Sequence, residues 1–466
     1  MGVELARSGY PFTVYERSDG VGGTWRDNTY PGAACDVPSH LYSYSFEPNP
    51  WWSRTYATQP EILAYLEHCT DKYDVRPHVR TGVAITEARW DDAGQRWELT
   101  SSTGERHHAD VLVSGLGMLN VPDVPDIPGA ESFRGRAFHS SRWDHTRPVT
   151  GERVASIGTG ASAIQYVPAI AAEVEHLTVF QRTPIWIAPR IDKPYTPEDQ
   201  QRFASVPFAA RRHRWQIWRT YERANFAADS EQTVMQTELA RSYLARKIED
   251  PALRERLTPD YPVGCKRPLT SRTWLPTLTR SNVRLVTEPI VEITGSGLRT
   301  ADGEEHMVDT IIYGTGFHAN DYLRTIEVIG RDGRRLHDDW RDGAEAHLGV
   351  TVAGYPNLYL LYGPNTNGVS SVLFMHEAQV HHIMRALRAM SRFGVGAIEV
   401  RRGVMARYNR RLQDAMTGTV WLAGCHNYFR AASGKVVTQL PYSGGRYWLR
   451  TRTFRLWRYR LTRSRR

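Results

Sequence analysis

The sequence predicts an α/β protein made of two doubly wound domains of one design, interrupted by a helical insertion. Three observations carry this. The strands "ADVLVSGLG" (109–117) and "VDTIIYGTG" (308–316) share an acid, an apolar run and a Gly-x-Gly ending, and each follows a hairpin-like, turn-rich β region. Each also closes a segment that begins with a βαβ unit, residues 1–117 and residues 153–316. Within the second segment, "RVASIGTGASAIQYVPAIAAEVEHLTVFQRTP" is a complete βαβ unit with a glycine-rich turn, the pattern of a dinucleotide-binding, Rossmann-like domain.

The elements follow in chain order. Val3, Leu5 and Ala6 predict a short helix that Gly9 stops, Phe12–Tyr15 is a β-type run, and Glu16 ends it. An acid at that place in a βαβ unit takes the adenosine ribose hydroxyls. The first strand and glycine turn of such a unit would stand before Met1, so the expectation is a first domain cut just after its phosphate turn, with weakened nucleotide affinity. Gly22-Gly23-Thr24-Trp25 forms a turn whose amides can face a phosphate.

The second unit runs from a strand (Val154–Ile157) through Gly158-Thr159-Gly160-Ala161-Ser162-Ala163 and an amphipathic helix to a strand at Leu177–Gln181. Gly158 permits the tight turn, Gly160 admits a pyrophosphate, and Ala163 keeps the helix close to the strand. Arg182 and Thr183 stand where an NAD-binding domain offers a carboxylate. A cation and a hydroxyl there suit a 2′-phosphate and point to NADP. Residues 190–260 are charged and helix-like, and the stripe Trp215, Trp218 and Tyr221 reads as helix packing. Pro259 and Pro262 end this insertion. The chain returns through "GCKRPLTSRTWLP" to the strand at 308–316, then continues in "NLYLLYGPNTNG" and a helical stretch at Phe374–Met390.

Bulk properties set limits. With 466 residues, 41% of them hydrophobic, the chain can form two or three domains. No apolar run approaches the roughly 20 residues of a membrane span, and no signal peptide pattern is present, so a cytoplasmic location is expected. Cys35, Cys69, Cys265 and Cys425 are far apart with no CxxC pair, which predicts reduced thiols and no metal site. The net charge of +9 resides in residues 446–466, which carry nine arginines and no acid. That tail reads as a solvated, partly packed extension, the alternative being adsorption to an anionic surface; nucleic acid is not an expected partner.

The connector between the two units carries "FRGRAFHSSRWD", that is Phe133-x-Gly135-x-x-x-His139-x-x-x-Trp143-Asp144. This resembles the fingerprint of the type I Baeyer–Villiger monooxygenases, flavoproteins of the flavin monooxygenase/disulfide reductase type with separate FAD and NADPH domains. Related amine and sulfide oxygenases usually carry another residue at the place of Trp143. "GVGGTW", "YPGAACD", "GTGASA", "QRTP", "CKRP", "GTGF" and "YGPNTN" resemble the same family, and the resemblance extends from Met1 to about residue 445.

The resemblance implies roles. Glu16, Gly23, Thr24, Trp25, Asp27, Asp36, Tyr42 and the backbone of Val83 would contact FAD. Gly158, Thr159, Gly160, Ala161, Ser162, Ala163, Arg182, Thr183, Lys266, Arg267 and Tyr428 would contact NADP, with Tyr428 replacing a Trp of many members and so altering substrate scope. His139 is assigned a hinge or latch role. The domains implied are 1–132 (FAD, first part), 133–152 (linker), 153–189 with 262–318 (NADP), 190–261 (helical insertion), 319–445 (FAD, second part) and 446–466 (tail).

The implied reaction passes hydride from NADPH to flavin, adds O2, and uses the anionic oxidant on a ketone to give an ester or lactone. Arg267 can stabilise the oxidant and the oxyanion of the tetrahedral adduct, because a guanidinium does not lose its proton at working pH. Asp36 would position it, since an unpaired Arg in a closed site is costly. Two other readings share these features: a flavin-dependent S- or N-oxygenase, and a truncated, non-catalytic protein that binds NADP or a partner.

Overall fold

A computed structural model of the chain describes residues 1–368 and 370–465; Arg466, the last arginine of the tail, lies outside the described residues. The second unit holds five parallel strands in the order Val283–Val286, His176–Phe180, Arg153–Ile157, Thr310–Tyr313 and Arg136–His139. A parallel sheet covered on both faces needs continuous apolar strands. Val154, Ala155, Leu177, Val179, Ile311 and Ile312 are accordingly all fully buried. The helix Ala163–Ile170 lies against this sheet, where the hydroxyls of Tyr166 and Ser156 meet at 2.7 Å.

The connector does more than link. Its residues Arg136–His139 form the edge strand beside Thr310–Tyr313, and Arg136 ties the following loop by ion pairs to Asp144 (3.2 Å) and Glu152 (3.0 Å).

In the first unit, Val14–Tyr15 pairs in parallel with Val79–Arg80, and Leu112–Ser114 with Leu358–Leu360; among the described residues no strand joins the two pairs. A mixed sheet of the same unit runs Glu327–Ile329, Ile85–Asp91, Arg96–Ser101, Arg106–Ala109, its first pair parallel and the other two antiparallel. Its buried Trp97 donates from Nε1 to the carbonyl of Pro356 at 2.9 Å, binding the returning chain to the first unit. The helix Val372–Phe393 starts where Ser371 Oγ accepts from the Leu373 amide, and it ends at Gly394, whose left-handed φ of 59° stops it.

The arginine-rich tail is not a free extension. It forms a helix, Gly444–Thr451, and a strand, Tyr459–Arg463, that pairs antiparallel with Val395–Val400. Tyr447 and Tyr459 are each 1% exposed, so these two tyrosines anchor the segment while most of its described arginines are exposed.

The insertion consists of the helices Pro197–Ser205, Ala209–Tyr221, Glu231–Lys247 and Pro251–Arg256, with side-chain N-caps at Thr196, Ser230 and Asp250. One expectation is overturned. Cys265 and Cys425 are 160 residues apart yet form a disulfide, with Cα atoms 6.1 Å apart; only Cys35 and Cys69 remain as buried thiols. Sequence spacing missed the pair because the loop leaving the insertion folds against the C-terminal segment, so closely that a Cβ added to Gly264 would lie 3.0 Å from the Val420 side chain. Among the described residues no helix is long and apolar enough to cross a membrane, and no cluster of potential metal ligands forms.

Candidate active site

A cavity of about 2360 Å³ runs between the two units and under the insertion. Its walls are rich in bare glycine backbone. At Gly23, Gly115, Gly117, Gly160 and Gly316 an added Cβ would meet nothing within 4 Å, and all five line the cavity. Gly115 and Gly117 close the first repeated strand; Gly316 closes the second. Both Gly-x-Gly endings therefore present open backbone to the same space, as a bound dinucleotide requires.

Gly158 serves a different need. Its φ is +106°, and a Cβ there would lie 2.5 Å from the carbonyl oxygen of Gly314, so the turn of the second unit touches the end of the repeated strand. The helix Ala163–Ile170 that follows has no side-chain cap. The Ile164 and Gln165 amides turn back onto the Gly160 and Ser162 carbonyls, and the positive dipole end stands behind the cavity-lining turn Gly158–Ser162, where it favours an anion such as a diphosphate.

The far end of this cradle is cationic. Arg182 and Thr183, just beyond the strand His176–Phe180, line the cavity together with Lys266. Neither Arg182 nor Lys266 has an ion-pair partner among the described residues. Burial and the charge of Arg182 hold the Lys266 ammonium below its usual pKa, only partly offset by Asp260. Two cations without ion-pair partners and a hydroxyl on one wall are the donor chemistry that suits a phosphate. In the first unit, Glu16 lines the cavity and its Oε1 accepts from the Ser18 amide at 2.8 Å, leaving Oε2 for a ribose. The donor set therefore fits one flavin dinucleotide and one phosphorylated nicotinamide dinucleotide.

Asp36 and Arg267, 231 residues apart in sequence, meet in the wall. Arg267 donates from Nε at 3.0 Å and from Nη2 at 2.5 Å, both to Asp36 Oδ2. Burial pushes the Asp36 carboxyl up, but the charge and hydrogen bonds of Arg267, helped by Arg190, outweigh it and hold the group below its ordinary range. The Asp36 charge in turn raises Arg267 well above the usual arginine value. The result is a fixed guanidinium, charged at every working pH, in the lining of the cavity. Tyr428 stands nearby; burial raises its phenol while Arg267 pulls it back down.

The other sequence-predicted residues divide into two groups. Gly23, Thr24, Trp25, Tyr42, Gly158, Thr159, Gly160, Ala161, Ser162 and Tyr428 line the cavity, with Trp25 Nε1 donating to the Tyr42 hydroxyl at 2.9 Å. Val83, Asp27 and Ala163 stand back from it. The Val83 amide donates to the Glu16 carbonyl at 2.9 Å, Asp27 pairs with Arg17 and Arg142, and Ala163 is fully buried.

The connector residues also stay outside the lining. Trp143 packs on Phe138 and Tyr166, and Asp144 accepts from the Thr146 amide at 2.9 Å. Gly135 is pressed against the Asp309 carbonyl and the Phe133 ring. His139 is 5% exposed, its Nδ1 accepts from the Ser141 amide, and burial lowers its pKa.

Sequence reasoning missed part of the wall. Trp215, Trp218 and Tyr221, read as helix packing, all face the cavity, and Tyr221 lies close enough to Asp36 and Arg267 to feel both charges. Their i, i+3, i+6 spacing was the available sign. Arg190 had none: its Nη2 donates to the Cys35 carbonyl at 2.8 Å and its guanidinium covers the Tyr56 ring at 4.5 Å.

Comparison with known proteins agrees with this geometry. A family model described as flavin-binding monooxygenase-like matches residues 7–214. A relative from Streptomyces coelicolor named Baeyer-Villiger monooxygenase is 43% identical over 467 residues, covering 99% of this chain and 90% of that protein. The crystal structure of OTEMO in complex with FAD and NADP superposes with a TM-score of 0.91 at 27% identity, covering 99% of this chain and 96% of that one. The closed crystal structure of cyclohexanone monooxygenase gives 0.89 at 30% identity, with 99% and 96% covered.

Proposed function

We propose a function for this chain from one premise: it belongs to the Baeyer–Villiger monooxygenases. It is an FAD- and NADPH-dependent enzyme that inserts one oxygen of O2 beside the carbonyl of a small-molecule ketone, releasing an ester or lactone. When bound, NADPH supplies the hydride and reduced FAD activates the oxygen.

The chain's own residues bind, orient and stabilise charge. Arg182, Thr183 and Lys266 hold the 2′-phosphate, and Glu16 takes the FAD ribose. Arg267 donates hydrogen bonds to the oxyanion that forms when the ketone carbonyl is attacked. Removing one such preorganised donor costs about 10²–10³ in rate. Asp36 fixes the plane of that guanidinium by binding it at Nε and Nη2, so no reorganisation is needed as charge develops. Tyr221 and Trp218 form the wall beside this pair and set which ketones fit.

The single observation that carries the reading is the Asp36–Arg267 pair, set in the wall of a cavity that both glycine cradles open onto. The test is product analysis after incubation of FAD-loaded protein and NADPH with a panel of ketones and a panel of thioethers. Esters or lactones from ketones are expected. Sulfoxides alone, with every ketone recovered, would replace oxygen insertion with sulfur oxygenation.

A further inference from the structure

The disulfide Cys265–Cys425 takes no part in the chemistry described above, yet it sits between the residues that do. Cys265 immediately precedes Lys266 and Arg267, and Cys425 is three residues before Tyr428. Cys265 is fully buried and Cys425 is 7% exposed. Around them pack Trp186, Ala240, Tyr261 and Val263, so the bond lies in an apolar cluster behind the cavity wall. Lys266 reaches over the Tyr261 ring of the same cluster at 5.3 Å.

Neither loop is held by regular strand or helix pairing at this point. On one side the Cys265 amide donates to the Pro262 carbonyl at 3.2 Å, and the Val263 amide to Thr237 Oγ1 at 3.1 Å. On the other, Asn427 Nδ2 donates to the Trp421 carbonyl at 3.1 Å while Asn427 Oδ1 accepts from the Phe429 amide at 3.0 Å. The first set ties its loop to itself and to the helix Glu231–Lys247, the second ties its loop to itself, and none of these bonds crosses from one loop to the other. The covalent bond does.

We infer that Cys265 and Cys425 are positioning residues: their disulfide fixes the loop carrying Lys266 and Arg267 against the loop carrying Tyr428, and so sets the geometry of the NADP and substrate end of the cavity. Three residues of chain reach at most about 10 Å, so a crosslink at Cys425 restrains Tyr428 closely. Misplacing a group near the reacting atoms by ~1 Å costs on the order of 10²-fold in rate. The inference rests on the function proposed above only for its turnover readout; the thiol and nucleotide-binding readouts stand without it.

Opening the bond takes two electrons from a dithiol. Its thiolate attacks one sulfur and the S–S bond breaks, leaving a mixed disulfide and one protein thiol. The second reductant thiol then displaces the other cysteine, so the protein gains two thiols and the reductant becomes a disulfide.

Three measurements on the FAD-loaded protein test this. Thiol titration after unfolding without reductant should find two thiols, Cys35 and Cys69, rising to four after dithiothreitol. Calorimetric titration with NADP⁺ should show roughly ten-fold weaker binding in the Cys265→Ser/Cys425→Ser variant, and in wild-type protein reduced and alkylated as an alternative should that variant not fold. The same proteins should consume NADPH with less ester formed per NADPH oxidised, while the flavin spectrum is retained. Four thiols without reductant would overturn the crosslink. Two thiols, with unchanged NADP⁺ affinity and unchanged product per NADPH in the opened protein, would overturn the positioning role.

Discussion

At the scale of single residues, Arg267 depends on the shape of its guanidinium as well as its charge. Lysine at this position keeps a cation but cannot donate twice to one carboxylate oxygen. Arg267→Lys should therefore lower ester formation by about 10²-fold while NADPH oxidation continues and hydrogen peroxide accumulates, measured as product and peroxide per NADPH. Lys266 provides a pH signature. Its folded pKa is lowered by burial and by Arg182, so its charge is lost as pH rises at values below those of an ordinary lysine. The KM for NADPH should rise on the alkaline side, and Lys266→Arg, which keeps its charge, should flatten that rise. Asp36 and Arg267 were legible in the sequence because each stands in a short motif. Arg190 and Tyr56 were not, because a cation stacked on a ring leaves no trace in local spacing.

Elements divide the work of the glycines. Gly158 is constrained by the protein itself, through its positive φ and the Gly314 carbonyl, whereas Gly160 faces open space. Gly158→Ala should cost about 1–3 kcal/mol of stability, read as a lower Tm. Gly160→Ala should leave stability within about 0.5 kcal/mol and weaken NADP⁺ binding instead. Thermal unfolding and calorimetric titration of the two variants separate these effects. The strand–turn–helix pattern of this unit could be read directly, since two short, mainly apolar strands flank a glycine-rich turn and an apolar helix. The stripe Trp215, Trp218 and Tyr221 could not be assigned the same way: periodicity identifies one face of the helix, but not whether that face meets a core or a cavity. Trp218→Ala should change the relative rates among ketones of different size and leave the NADPH KM unaltered.

At the scale of the whole molecule, the domains interleave more than a linear reading suggests. The connector supplies an edge strand to the second unit, and residues 444–463 return as a helix and a strand of the first. The charge excess of the tail obscured its buried tyrosines, and the disulfide was invisible because it depends on two distant loops meeting. What the sequence did convey was the repeated Gly-x-Gly ending, and both copies open onto one cavity. The central claim is that the Asp36–Arg267 pair at this cavity directs oxygen into a ketone. The most direct test supplies ¹⁸O2, NADPH and a ketone panel to wild-type protein and to Arg267→Ala. Wild type should give an ester or lactone carrying one ¹⁸O atom, and Arg267→Ala should oxidise NADPH with hydrogen peroxide as the product. Labelled ester formed by Arg267→Ala at the wild-type rate would contradict the account.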